Sequence, residues 1–169
     1  YNNIKFYKNK IENIDDDFFD FVISHDSFEH FKKPEYELSQ MLRVTKPGGS
    51  VLIKFGPTWA SPYGRHMSGT IRKDRPWIHL FIPEKIVMRT HSVYHNEDFL
   101  KTQYSELNGG LNKMTTSRFL NILLNQKNIT VINKYIFPVF SKKLHFLTYL
   151  PIMRDIIGGS ISAELKKIP

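Results

Sequence analysis

The sequence predicts an α/β fold in which a parallel strand pair is continued by antiparallel strands near the C-terminus, and three stretches carry that reading. Residues 19–24, Phe-Asp-Phe-Val-Ile-Ser, are apolar on both faces apart from Asp20, the pattern of a central strand covered on two sides. Residues 34–55 give an amphipathic helix, a Lys46-Pro47-Gly48-Gly49 turn and a second apolar strand, and the short joins make a βαβ unit. Residues 160–167 alternate, Ile161, Ala163 and Leu165 against Ser162, Glu164 and Lys166, so one face is apolar and one wet, as in an antiparallel or edge strand.

Taken in order, the chain opens with a short apolar stretch at 4–7 and a polar link into the acidic run Asp15-Asp16-Asp17. After the first strand comes a polar knot, His25 to Phe31. Pro34 suits the first position of a helix whose Leu38, Met41 and Leu42 share a face with it, while Glu35, Glu37, Gln40 and Arg43 face away. Pro47 ends that helix and the glycines supply positive φ. Residues 56–114 lose clear periodicity, and an irregular segment of this length in a compact domain is expected to carry function. Within it, short helices are expected at 83–89 and 96–107. A helix capped by Thr115 or Thr116 follows, with Phe119, Leu120, Leu123 and Leu124 on one face and Asn128 at its end. Residues 129–137 read as a strand closed by Pro138, and a short helix at 152–157 stops at Gly158-Gly159.

The chain has 169 residues, of which 41% are apolar and 14% aromatic, enough for the core of one domain. It contains no cysteine, which excludes a disulfide framework, a thiol nucleophile and a thiolate metal site. No run of 18 apolar residues and no charged-then-apolar leader occurs, so a soluble cytoplasmic protein without a membrane span is expected. The formal charge of +8 is uneven: residues 115–169 hold 8 Lys/Arg against 2 Asp/Glu. These cations are scattered rather than gathered with aromatics, so nucleic acid is not an expected partner.

The motif-grade residues lie between Phe19 and Phe55. Phe19-Asp20-Phe21-Val22-Ile23-Ser24, then Phe28-Glu29-His30, then Leu42-Arg43-Val44-Thr45-Lys46-Pro47-Gly48-Gly49 resembles, in order and spacing, the signature of class I S-adenosylmethionine-dependent methyltransferases. The order of elements in the tail is similar to the reversed hairpin that closes that fold. The resemblance implies a partial Rossmann-like methyltransferase sheet with S-adenosylmethionine as cofactor. It also implies methyl transfer to oxygen or nitrogen of a small-molecule, sugar or lipid-like acceptor. The family's glycine-rich loop and its ribose-binding acidic residue precede this pattern, and no Gly-x-Gly occurs here. The expectation is therefore a single domain corresponding to the C-terminal two thirds of a methyltransferase, with a substrate or lid insertion at about 56–114.

Carried over position by position, the resemblance puts Ser24, His25 and Asp26 on the methionine side of the cofactor pocket. It puts Ile11 in the loop that packs on the adenine, and it makes His30 a structural anchor. In an open α/β sheet, ligands lie beyond the carboxyl ends of the strands, so the cluster after Phe55 is the place for the acceptor. Trp59, Tyr63, Arg65 and Trp77 are its candidate binding residues, with Arg65 suited to an anionic group. His66 and His79 are candidate general bases, because imidazole titrates near neutrality. The twelve-residue spacing of these histidines matches no ligand motif, so no metal is expected from them and Asp26. Two other readings remain: a non-catalytic module of the same fold holding an anionic partner on the basic C-terminal third, and a generic α/β domain without a site.

Overall fold

The architecture is given by a computed structural model, which describes residues 5, 8, 10–66, 75–92, 103–106 and 110–168, the last four of 75–92 as backbone alone. A four-stranded sheet forms its centre, in the order β1-β2-β4-β3, where β1 is Phe19–His25, β2 Thr45–Phe55, β3 Ile129–Pro138 and β4 Gly158–Lys167. β1 and β2 are parallel, and β4 is antiparallel to both β2 and β3. A parallel pair demands a crossover, and α1, Pro34–Val44, supplies it with Pro34, Leu38, Met41 and Leu42 buried as their spacing predicts.

The Lys46-Pro47-Gly48-Gly49 segment lies inside β2 as an irregularity rather than between elements. Phe19 pairs with Thr45 and Phe21 with Ser50, so five steps of β2 oppose two of β1. Gly48 takes φ 75° there, a conformation that a side chain disfavours.

One strand expectation changes and another is narrowed. β1 has β2 as its one neighbour among the described residues, and Phe21 and Ile23 are 49% and 62% exposed on the face turned away from Val22 and Ser24. Apolar residues on both faces predict cover for two faces but say nothing of neighbours in the sheet, so the expected central strand is an edge strand here. β4 is antiparallel, the first of the two alternatives its alternation allows, and it is internal to the sheet. Its Ile161, Ala163 and Leu165 are buried while β3 and β2 take its two hydrogen-bonding edges.

The main core lies between that face and the helices α1 and α4, Thr116–Leu124. Thr115 caps α4 by accepting the Arg118 N–H at 3.1 Å. Ile122 is buried with Phe119, Leu120 and Leu123, whereas Leu124, the last residue of the helix, is exposed. Phe28, Phe55 and Phe119 form a mutually packed triad with ring centroids 5.1 to 5.7 Å apart. A single turn α2 (Ile78–Phe81) and α3 (Glu84–Ser92) follow β2. A 3-10 stretch at Lys142–Tyr149 and α5 (Pro151–Ile157) lead into β4. Most of the helix expected at 96–107 falls outside the described residues; Tyr104–Glu106 within it form a 3-10 turn. Among the described residues no helix is long and apolar enough to cross a membrane.

Candidate functional site

The C-terminal ends of β1 and β2 lie side by side because the strands are parallel, and both release irregular backbone at the same edge of the sheet. Beyond β1, Asp26 takes φ 48° and donates its N–H to the Lys54 carbonyl at 2.8 Å, holding the start of the knot against β2. The Ser24 hydroxyl is buried with no hydrogen-bond partner among the described residues. His25 Nδ1 lies 3.1 Å from the Asp26 carboxylate, and both side chains are more than half exposed. Beyond β2, Gly56 passes so close to β4 that a Cβ on it would stand 2.4 Å from the Ser160 Cβ. An open cavity of about 480 Å³ lies along this edge, between Asp26, Lys54, Pro57 and Tyr63 on one side and Phe137 and Ser160 on the other.

The expected acceptor residues divide. Tyr63 lines the cavity and is 38% exposed. Trp77 donates its ring N–H to the Ile156 carbonyl at 3.3 Å and packs beside Phe140. Trp59 instead packs on the second core of Val87, Met88, Tyr104 and Leu111, with Arg65 buried near Tyr104 and His79 buried beside Trp59. The Trp59 ring stands edge-on to His79 at 4.8 Å and to Tyr104 at 5.0 Å. Arg65 is 1% exposed, so burial lowers its pKa. Burial pushes the Tyr104 phenol up to about 12, with the neighbouring Arg65 cation opposing the rise. His79 Nε2 is bound to the Trp59 carbonyl at 2.7 Å, and its Nδ1 is enclosed. Burial lowers its pKa and leaves the ring neutral at neutral pH.

His66 is placed differently. It sits at φ 59°, donates Nε2–H to the Pro57 carbonyl at 2.8 Å, and approaches His30 with ring centroids 5.6 Å apart. Burial lowers its pKa too. His30 hydrogen-bonds through Nδ1 to the Gly110 carbonyl at 2.8 Å, and this fits the anchoring role the resemblance implies. Beside the two rings lies Glu29, 3% exposed, in the 3-10 turn Phe28–His30. Desolvation raises its pKa, its Oε1 receives the Gly56 N–H at 3.3 Å, and its Oε2 is buried with no partner among the described residues. Sequence reasoning missed Glu29 as a site residue. The Glu29-His30 pair stands inside the quoted motif, but nothing in a one-dimensional reading brings His66 to it.

Ile11 does not join Ser24, His25 and Asp26. Its turn, Ile11–Asn13, packs along α1, and its carbonyl accepts from the Arg43 guanidinium at 2.9 Å, near the start of β2 and the opposite edge of the sheet.

Residues 1–53 match a protein family described as a methyltransferase domain. An uncharacterized methyltransferase of Mycobacterium tuberculosis is 41% identical over 54 residues, which is 32% of this chain and 21% of the relative. One from Mycobacterium leprae is also 41% identical over 54 residues, 20% of its length. The chain thus matches about a fifth of the length of these curated relatives. Among solved structures, an S-adenosylmethionine-dependent methyltransferase from Mesorhizobium loti aligns with 94% of this chain and 67% of its own, at TM-score 0.52 and 12% identity. A putative one from Listeria monocytogenes aligns with 96% and 68%, at TM-score 0.54 and 9% identity. At these identities the likeness is one of fold. The resemblance to class I S-adenosylmethionine-dependent methyltransferases is borne out, in motif over residues 1–53 and in a Rossmann-like fold across the chain, and S-adenosylmethionine is the cofactor it implies.

The residues at the end of β1 fit the polar end of that cofactor. Ser24 has a buried hydroxyl without a partner among the described residues, and the Asp26 carboxylate, more than half exposed and 3.1 Å from His25 Nδ1, has the charge to meet an ammonium group. Both sit where ligands lie in open α/β sheets.

Proposed function

We propose that this methyltransferase-like chain is part of an enzyme that transfers a methyl group to oxygen or nitrogen of a small-molecule, sugar or lipid-like acceptor. The observation that carries the proposal is positional. The family match ends in β2, and the 480 Å³ cavity opens at the strand ends where that match stops. When bound, S-adenosylmethionine supplies an electrophilic sulfonium methyl. Ser24 and Asp26 hold its amino-acid end, with His25 beside them. Tyr63 and Lys54 flank the acceptor, and the 56–114 segment acts as the insertion that shields it from water. Trp59, Arg65, Trp77 and His79 support that segment from beneath. An acceptor O–H or N–H must lose its proton, and this falls to the group of Glu29, His30 and His66, where His66 is kept neutral by burial and so is able to take one.

Among the described residues the outer hydrogen-bonding edge of β1 has no partner strand and Phe21 and Ile23 are exposed, which supports a domain whose remaining cofactor contacts come from polypeptide beyond these 169 residues. Calorimetric titration of the whole protein with S-adenosylmethionine is the test. Binding that weakens in Asp26→Asn is expected, and no heat at high micromolar cofactor would refute the proposal. Residues 1–169 alone should bind weakly or not at all; tight binding by them would show that the cofactor site is complete here. Affinity for an anionic polymer that falls steeply with salt, without cofactor binding, would favour the non-catalytic module.

A further inference from the structure

We infer that Glu29, His30 and His66 form a binding site for a divalent transition-metal ion of the zinc class. One ligand atom from each lies within 4.8 Å of the other two. The hydrogen bonds decide which atoms of the three residues keep a lone pair to offer. A backbone carbonyl only accepts, so the nitrogens bound to Gly110 and Pro57 carry the protons: Nδ1 of His30 and Nε2 of His66. This leaves the lone pairs on His30 Nε2 and His66 Nδ1. An outer hydrogen bond from each imidazole to a carbonyl is the arrangement that fixes the tautomer of metal-bound histidines. The third donor is the buried Glu29 Oε2, which has no hydrogen-bond partner among the described residues. Two neutral imidazoles and one carboxylate make the protein donor set of catalytic zinc and of related borderline ions.

The surroundings agree with a cation. The Asp26 carboxylate acts electrostatically on both Glu29 and His66, and the one ammonium lining the crevice among the described residues, that of Lys113, is paired with Glu84 at 2.6 Å. Donors around a tetrahedral ion with bonds of about 2.1 Å stand roughly 3.4 Å apart, so side-chain rotations alone have to draw the three together. The catalytic consequence rests on the methyl-transfer reading, whereas the binding does not. With the ion bound, the His66 lone pair is a ligand and no longer the base of the metal-free reading: an acceptor hydroxyl reaching the ion would release its proton to solvent, its oxygen would bond to the methyl carbon, and the cofactor sulfur would leave as a neutral thioether.

The test uses Co2+ and Zn2+ alone, with neither cofactor nor acceptor present. One Co2+ per chain is expected to give the visible absorption of a four- or five-coordinate ion, and Zn2+ should remove it. Glu29→Gln and His66→Gln, each checked for folding by circular dichroism, should weaken binding at least about tenfold. His25→Gln and His145→Gln, on exposed or distant rings, should leave it unchanged. No visible band under excess Co2+ overturns the site. So does a band that survives Glu29→Gln and His66→Gln, or one lost in His25→Gln, either of which would mark adventitious binding by surface histidine. If one variant fails to fold, the other still decides. Metal binding without cofactor binding refutes the methyl-transfer proposal alone, and the reverse result refutes the metal site alone.

Discussion

Asn112 holds the Phe28–His30 turn in place, and its replacement tests whether that turn is built as described. Its side-chain Nδ2 donates to the Phe28 and Phe31 carbonyls, both at 2.9 Å, and its backbone N–H donates to the Glu29 carbonyl at 2.9 Å. Asn112→Ala keeps the backbone bond and removes the other two. Each is worth about 1 kcal/mol net, and the two carbonyls left behind add to the loss. Relief of the enclosed Oδ1 of Asn112, which has no partner among the described residues, offsets part of it. The expected destabilisation is about 2 kcal/mol, or roughly 4–8 °C in Tm for a chain of this size. Asn112→Asp discriminates further. Its carboxylate has no donor to offer and faces two carbonyl oxygens, so near neutral pH it should be less stable than the alanine variant by about 1 kcal/mol or more. Urea denaturation followed by circular dichroism, with unchanged m-value, measures both. An alanine variant within about 0.5 kcal/mol of the parent, or an aspartate variant as stable as asparagine, would refute this account of the turn.

Three further outcomes are expected. Phe28→Ala removes the fully buried ring that packs on Phe31, Phe55 and Phe119 and should cost about 3–5 kcal/mol, measurable by the same denaturation. Gly56→Ala places a methyl against Ser160 at the lip of the cavity and should destabilise by about 1–3 kcal/mol while weakening any ligand bound there, read by Tm and calorimetry. Tyr104 has a folded pKa of about 12, above its ordinary 10.0, so its contribution to stability is complete below pH 10 and is lost as pH rises through 12. Ultraviolet titration should show one phenol ionising later than the others, and Tyr104→Phe should remove it.

Periodicity made much of the fold legible. The buried face of α1, the alternation of β4 and the stop at Gly158 are local patterns, set by side-chain geometry within a few residues. The errors have physical causes as well. β1 reads as central because its composition reports covered faces, whereas edge or centre depends on a neighbouring strand distant in sequence. Ile122 and Leu124 exchange places because the buried arc of α4 is centred nearer Phe119 and Leu123 than the apolar pattern alone suggests, so that Ile122 falls inside it and Leu124 outside.

For the site, the sequence by itself determined the region and the chemistry available: a methyltransferase motif between Phe19 and Phe55, and histidines, aromatics and an arginine after it. Only the tertiary structure decided which of these meet. It packed Trp59 on a second core and buried Arg65 and His79 near it, because a loop of this composition must bury its own apolar surface to be ordered. It also turned His66 back onto Glu29 and His30, across 36 residues of chain, through single hydrogen bonds to the Pro57 and Gly110 carbonyls. Such contacts follow from the path of the chain in space, and no local pattern of residue types encodes that path.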